Sequence, residues 1–391
     1  MIENPSTHQK NSVLAPAMLK SQLLSYGIAL TSSFLNNYGP PYLEKRRAYG
    51  NSDPKFYQNI AVPQELYFGS PRLVCSVNIR PDSKWELDFF DGRYILRNIE
   101  TLETHFVDFP RRPAFYDMTL PGGLKANAIA TLYGGGALGI FIYGSCALVE
   151  GGKACRYCSI KPNRLAQSEF EQVIRPEQVY DVIKAALSSD SETITQIMIN
   201  GGNFKNGDKS FNYYIDVCRA ARQALNEMKS KIELHLIAYP PDDLKLFGLL
   251  KPLDVSLAMN TEAYNLEVFN FICPGKNQKH LLDALEAAAK ILGPGKVYSI
   301  FVGGLESELD MNTGFRYLAD INVTPIINVF HPDPETDLES MPPPPPEQIM
   351  AMGKVLQKSF NDNNFMKPFY DGCGRNAIDS EASLGLFEVD L

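Results

Sequence analysis

Apolar and polar residues change rhythm near residue 137. Downstream, short apolar runs alternate with longer stretches in which apolar residues recur every three or four positions. The runs Leu138–Tyr143, Gln196–Asn200, Glu233–Ala238, Val255–Met259, Val297–Val302 and Val323–Phe330 predict buried strands. Helices are expected between them at Pro176–Leu187, Tyr213–Met228, Asp242–Leu250, Gln278–Leu292 and Asn312–Asp320, with a sixth at Glu347–Asn361. Leu282, Leu285, Ala289 and Leu292 illustrate the helical spacing. Repeated strand–helix units with apolar strands imply a parallel sheet with crossover helices. Six units are too few for a closed eight-fold barrel. The expected fold is therefore α/β, a partial (β/α)6 TIM-type barrel with an N-terminal β-containing extension.

The first 135 residues read differently. A short helix, Ala17–Tyr26, precedes a loop over Asn36–Pro54 rich in Gly, Pro, Asn and charge. Strand-like text follows: Trp85–Phe90, a tight turn at Asp91-Gly92, the return Arg93–Arg97, and a third strand over Thr104–Phe109. The expected organisation is an N-terminal α+β extension with a β-meander over 1–135, a barrel over 136–365, and a C-terminal tail or lid over 366–391. The five prolines Pro342–Pro346 form a stiff connector, read as a spacer that also starts the last helix. Lys45-Arg46-Arg47 is read as a solvated charge run.

Composition excludes several classes. With 391 residues, 45% hydrophobic and 21% charged, the chain is an ordinary globular protein rather than a disordered, collagenous or coiled-coil one. Lys plus Arg number 37 against 45 Asp plus Glu, a net charge of −8 that argues against a nucleic-acid partner. No apolar run suits a membrane span, and Met1–Lys10 lacks the layout of a secretory signal, so a cytoplasmic protein is expected.

The seven cysteines sharpen this picture. They are Cys75, Cys146, Cys155, Cys158, Cys218, Cys273 and Cys373, an odd number in a large chain, which suits a reducing compartment. Three of them form Cys146-x8-Cys155-x2-Cys158 directly after the first barrel strand, at the end where such folds put their chemistry. Thiolates suit zinc or an iron–sulfur cluster. A structural zinc site wants four ligands, and no His lies near this loop. Three cysteines without an obvious fourth suit a four-iron cluster with one iron open. Cys218 reads as helix core, and Cys273 as either core or functional. Cys75 and Cys373 are read as isolated, with a second cluster or a reactive thiol as the lesser alternative.

The loop resembles that of the radical S-adenosylmethionine (SAM) enzymes, including Tyr157 just before the last Cys. Their usual gap between the first two cysteines is three residues, whereas this chain has eight. Further segments match in order. Asn200-Gly201-Gly202-Asn203 stands at a Gly-Gly-Glu-like motif, with Asn accepting a hydrogen bond but carrying no charge. Met259-Asn260-Thr261-Glu262 stands where relatives contact the ribose. Cys273-Pro274-Gly275-Lys276, Phe301-Val302-Gly303-Gly304-Leu305-Glu306 and Phe330-His331-Pro332 resemble segments of the biotin-synthase-like branch. A nearer resemblance, from about residue 100 onward, is to a poorly characterised radical SAM family encoded near nitrilase genes. It shares the eight-residue gap and segments like Ala114-Phe115-Tyr116-Asp117, Pro240-Pro241-Asp242-Asp243 and Gly372-Cys373-Gly374. That family has further cysteines where this chain reads Arg375-Asn376-Ala377-Ile378, so no role is carried over for them.

The resemblance implies a [4Fe-4S] cluster on Cys146, Cys155 and Cys158. It implies S-adenosyl-L-methionine held by Tyr157, Gly201, Gly202, Asn203, Asn260, Glu262, Gly303 and His331. The chemistry implied is cleavage of the cofactor to a 5′-deoxyadenosyl radical that abstracts hydrogen from a small polar substrate. Electrons would come from a donor such as flavodoxin or ferredoxin. The N-terminal β segment and the C-terminal tail are expected as lids. Three alternatives stand beside this: transfer of a 3-amino-3-carboxypropyl group, a non-catalytic zinc- or cluster-binding structural protein, and a SAM-independent barrel enzyme with incidental thiols.

Overall fold

The computed structural model describes residues 14–39, 42, 62–166, 173–365 and 367–388. The Lys45–Arg47 run and most of the Asn36–Pro54 loop lie outside them. In chain order, α1 (Pro16–Tyr26), β1 (Ala29–Leu30) and α2 (Ser32–Asn37) precede the hairpin β2 (Glu65–Phe68) and β3 (Leu73–Ser76). The meander follows as β4 (Trp85–Phe90), β5 (Arg93–Asn98) and β6 (Thr104–Phe106), with β1 added parallel to β4. Asp91 and Gly92 both take positive φ, 50° and 75°, which turns β4 into β5 within two residues.

The main sheet has seven strands and curls into a half-barrel. Its edge strand β7 (Ala130–Tyr133) is antiparallel to β8 (Ala137–Phe141). From β8 onward the strands run parallel: β9 (Gln196–Asn200), β10 (Glu233–Ile237), β11 (Val255–Ala258), β12 (Val297–Gly303) and β13 (Thr324–Val329). Every residue of β12 is buried, as a strand covered on both faces requires. The loops after β8 carry the short helices α3 (Ala147–Glu150) and α4 (Ile160–Ala166). The longer crossovers are α5 (Pro176–Asp190), α6 (Gly207–Glu227), α7 (Leu266–Ile272) with α8 (Gln278–Leu292), and α9 (Glu308–Asp320). The last helices are α10 (Pro346–Asn363) and α11 (Asp379–Ser383).

Four details differ from expectation. Residues Leu244–Leu249 form a 3-10 segment rather than an α-helix, hemmed between Pro240-Pro241 and Pro252. α7 was not anticipated; Asn265 caps it by accepting from the N–H groups of Glu267 and Val268. The buried stripe of α8 runs through Leu281, Ala284, Leu285, Ala288 and Ala289, so Leu285 and Ala289 are buried as expected while Leu282 and Leu292 are only partly buried. β7 lies before residue 135 yet belongs to the main sheet.

The tail lies at the end of the barrel opposite the cysteine loop. Inward-facing Ala137, Met198, Ala258, Tyr298, Ile300 and Ile326 pack on Phe369, Tyr370, Cys373 and Ala377. Phe369 sits against the rings of His235 and Tyr298, and its carbonyl accepts from Gln196 at the start of β9. Residues 376–378 then run antiparallel along β13, through Val329 N–H to Asn376 O (2.9 Å) and Ile378 N–H to Ile327 O (3.1 Å). The N-terminal segment meets the same region. Lys20 on α1 pairs with Glu381 (2.6 Å) and donates to the carbonyls of Gly374 and Ala377. Arg375 pairs with Glu65 at 2.9 Å.

Candidate functional site

The cysteine loop leaves β8 through Ile142 and Tyr143 and is clamped to the loop after β9. Ile142 N–H donates to Asn200 O, Gly202 N–H to Tyr143 O and Ala147 N–H to Asn203 O, at 2.8, 2.9 and 2.8 Å. A Cβ on Gly202 would lie 1.6 Å from Ser145 O and 2.9 Å from Cys146 Cβ, so only glycine permits this approach. The Gly201-Gly202 pair thereby shapes the cysteine loop itself. Cys146 caps α3 in extended backbone, and Cys158 N–H closes a turn on Cys155 O at 3.0 Å.

The thiols of Cys155 and Cys158 are displaced in opposite directions. Burial pushes the Cys158 thiol up to about 12, and charge on Cys155 and then on Cys146 adds to the rise. Cys155 goes the other way, to about 7: a hydrogen bond from the Cys273 thiol lowers it most, against burial, with Lys276 and the Tyr157 hydroxyl adding to the effect. Among the described residues, no three Cys, His, Asp or Glu side chains stand close enough to hold one metal ion. A mononuclear zinc site is thus not preformed, whereas a cubane spreads its ligating sulfurs over separate irons.

A buried ion pair stands beside Cys155. Glu262 follows β11 with φ +64°, an uncommon conformation for a residue with this side chain. Its backbone bridges to β12 through Glu262 N–H to Ile300 O and Val302 N–H to Glu262 O. Its carboxylate meets Lys276 Nζ at 2.6 Å, with side-chain exposures of 2% and 12%. Burial opposes the charge on Lys276, but Glu262, then Cys155 and Cys273, hold it well above its ordinary range. A buried pair of this kind is weak as a source of stability. Together with a left-handed Glu, it marks a local arrangement set by something other than packing. Glu262 is therefore not the solvated acid its loop position suggests.

The turn after α7 completes the cluster. Arg156 N–H donates to Ile272 O at 2.8 Å, and a Cβ on Gly275 would lie 2.5 Å from Lys153 O. Cys273 Sγ is fully buried and lies 3.9 Å from Tyr157 Oη. The Tyr157 hydroxyl sits between the Cys155 sulfur and the Glu262 carboxylate, and its single proton serves one of them at a time.

The other anticipated residues divide. Asn260 lies on the inward register of β11, and its Oδ1 is buried without a hydrogen-bond partner. His331 Nδ1 is 3.1 Å from Asp333 Oδ1, and Asp333 also meets the Ser159 hydroxyl beside Cys158. Asn203 contributes its backbone carbonyl to the clamp. Gly303 faces away from the mouth: a Cβ there would meet Ile327 and Met352 of α10. Cys218 is core on α6, as expected. Cys75 and Cys373 sit in separate apolar clusters, and burial raises both thiols. The sequence reading did not single out Lys276, Asp333 or inward-facing Asn328, whose Oδ1 is also unpartnered. Lys276 was visible only as the end of Cys-Pro-Gly-Lys.

No family model matches the chain. Among curated proteins, it is 30% identical over 224 residues to the bacteriochlorophyllide c C-7(1)-hydroxylase of Chlorobaculum limnaeum. The match takes in 51% of this chain and 54% of that protein, so the chain spans about half the length of its curated relative. Among solved structures, a HydG maturase of the [FeFe]-hydrogenase aligns with TM-score 0.44 at 13% identity, over 61% of this chain and 54% of that one. Methylornithine synthase gives 0.41 at 13%, over 62% and 70%. A radical SAM methyltransferase from Sphaerobacter thermophilus gives 0.42 at 15%, over 71% and 76%. Likenesses this distant decide nothing about activity.

Proposed function

We propose that this protein is a radical SAM enzyme, with a [4Fe-4S] cluster on Cys146, Cys155 and Cys158 and S-adenosyl-L-methionine on the open iron. One observation carries the reading. Three free thiols lie on one loop at the C-terminal end of the first parallel strand, and the loop is clamped to the residues after β9 beside the buried Glu262–Lys276 pair. The donor set fits the group: soft sulfur ligands, a glycine cradle under the loop, and an unpartnered Asn260 oxygen on the inward face. When bound, the cluster and the sulfonium nucleotide supply one-electron cleavage of a carbon–sulfur bond and a 5′-deoxyadenosyl radical that takes hydrogen from a small polar substrate.

The chain's own residues bind and orient. The backbone of residues 200–203 holds the loop, Asn260 offers a hydrogen-bond acceptor, and Tyr157 reaches across to Glu262. The Glu262 carboxylate, held by Lys276 through Oε1, is the acceptor assigned to a ribose hydroxyl. His331, oriented by Asp333, stands at the end of β13. The tail that fills the opposite end leaves substrate entry to the C-terminal mouth. The hydroxylase relative is named for a reaction at carbon, which accords with C–H activation.

Finer assignments rest on motif order: six strand–helix units in one partial barrel, the biotin-synthase-like branch, and kinship with the family encoded near nitrilase genes. The domain limits 1–135, 136–365 and 366–391 belong to the same reading, with the first limit moved ahead of β7, which pairs with β8. A cytoplasmic setting and an electron donor such as flavodoxin or ferredoxin belong to the same reading, and all seven cysteines are free. No helix of the described residues is long and apolar enough to cross a membrane.

Anaerobic reconstitution is expected to give brown protein with iron and sulfide near four each per chain, as a four-iron cluster requires. Dithionite should then release 5′-deoxyadenosine from SAM, and Cys155→Ala should abolish both. Colourless protein holding one zinc would overturn the proposal. Release of methylthioadenosine instead would favour 3-amino-3-carboxypropyl transfer.

A further inference from the structure

We propose that Asn328 is a specificity-determining residue whose carboxamide reads an uncharged, hydrogen-bonding substrate group such as a primary amide. This rests on the radical SAM reading above and names the substrate class for the same mouth. The concave face of the sheet changes chemistry along its strands. Toward the tail it is apolar: Ala137, Met198, Ala258, Tyr298, Ile300 and Ile326 pack on Phe369 and Tyr370. Side chains alternate between the two faces of a strand. The inward positions nearer the cysteine loop are therefore Phe141 on β8, Asn200 on β9, Asn260 just past β11, Val302 on β12 and Asn328 on β13. Phe141 is 42% exposed although its neighbours Ile140 and Ile142 are fully buried, so the concave face is open at this level.

None of these five side chains is charged, and three are carboxamides. The acids described at this mouth are matched already: Glu262 holds Lys276 at 2.6 Å, and Asp333 meets His331 and the Ser159 hydroxyl. A charged substrate group here would lose water and find no opposite charge on the row, which opposes its binding. Asn328 is the carboxamide best placed to read the substrate. Asn200 lies in the clamp under the cysteine loop, and Asn260 is given to the nucleotide by the reading above. Asn328 is held from both sides, by β12 opposite Val302 and by Ala377 of the tail. Recognition of one group's geometry needs such a fixed support. Its Oδ1 is buried and takes no hydrogen bond from the protein, an arrangement that favours a ligand able to supply the missing partner. A carboxamide offers both an acceptor and donors, so a primary amide can meet it with two antiparallel hydrogen bonds. Phe141 and Val302 on the same row offer apolar contact to the rest of the group.

The test titrates three probes of one shape, benzamide, benzoate and benzamidinium, into reconstituted, SAM-loaded protein without reductant, and follows binding by saturation-transfer NMR of the probe. Wild type is expected to bind benzamide about tenfold more tightly than either ion. Asn328→Leu should weaken benzamide about tenfold with iron content unchanged. Asn328→Asp keeps the shape and adds a charge. It should reverse the order of benzamide and benzamidinium, and it carries the test if the leucine variant loses iron. The proposal is overturned if either ion binds wild type as tightly as benzamide, if benzamide does not bind, or if neither variant changes the order or the affinity. Wild type that holds no four-iron cluster would instead defeat the radical SAM reading, and iron and sulfide content tells the two failures apart.

Discussion

Gly202 shows how one missing side chain shapes the site. A glycine pair after a strand is, as sequence, a weak sign of anything beyond a turn. In the structure the Cβ of any other residue at 202 would fall 1.6 Å from Ser145 O, inside covalent range of the loop that presents Cys146. Gly202→Ala is therefore expected to displace the cysteine loop and reduce iron loading several-fold, while overall folding, followed by circular dichroism, persists. Iron per chain measures it; full loading would show that the loop tolerates the shift. The same scale shows why Glu262 could be placed by motif but its burial could not: charge in a loop is usually solvated, and burial is set by residues far away in sequence. Lys276, 14 positions on, and β12, nearly 40 positions on, enclose it.

Elements were readable where periodicity ran long. β9 and α8 fall on their expected limits because five apolar or amphipathic residues, or four helical turns, overwhelm local noise. The 3-10 segment at Leu244–Leu249 and the seven-residue α7 were misjudged or missed because neither has enough turns to show a period. Glu306 joins two such elements. It lies just after β12, and its Oε2 accepts from the N–H groups of Tyr264 and Asn265 at the start of α7, at 2.8 and 2.9 Å. Burial raises its carboxyl from 4.5 to about 7. The folded state thus binds a proton that the unfolded state releases between these values. Stability from this group is complete below about pH 4.5 and is lost as pH rises through 7. Glu306→Gln keeps an oxygen acceptor without the charge. Relative to wild type it is expected to gain up to about 3 kcal/mol between pH 4.5 and pH 8. Denaturant unfolding at the two pH values checks the difference; a pH-independent gap would refute it.

At the scale of the whole molecule, the segments before and after the sheet meet each other, at the end of the sheet opposite the cysteine loop. Lys20 and Glu381 are 361 positions apart and each about 2% exposed. Lys20→Met would strand a buried carboxylate and is expected to cost about 3–5 kcal/mol, read as a lowered urea midpoint. Glu381→Leu added to that variant should restore part of the loss, since an apolar pair leaves no charge uncompensated. The anticipated lid role of the tail gives way to a plug, because Phe369, Tyr370 and Cys373 fill space that the short inward residues Ala137 and Ala258 leave open. Strand–helix alternation and the three-cysteine spacing were determined by local order, since period and motif depend only on near neighbours in the chain. Which thiol stands beside Cys155, which lysine neutralises Glu262 and which end the tail fills depended on tertiary structure, because each joins residues that only the closed sheet brings within reach.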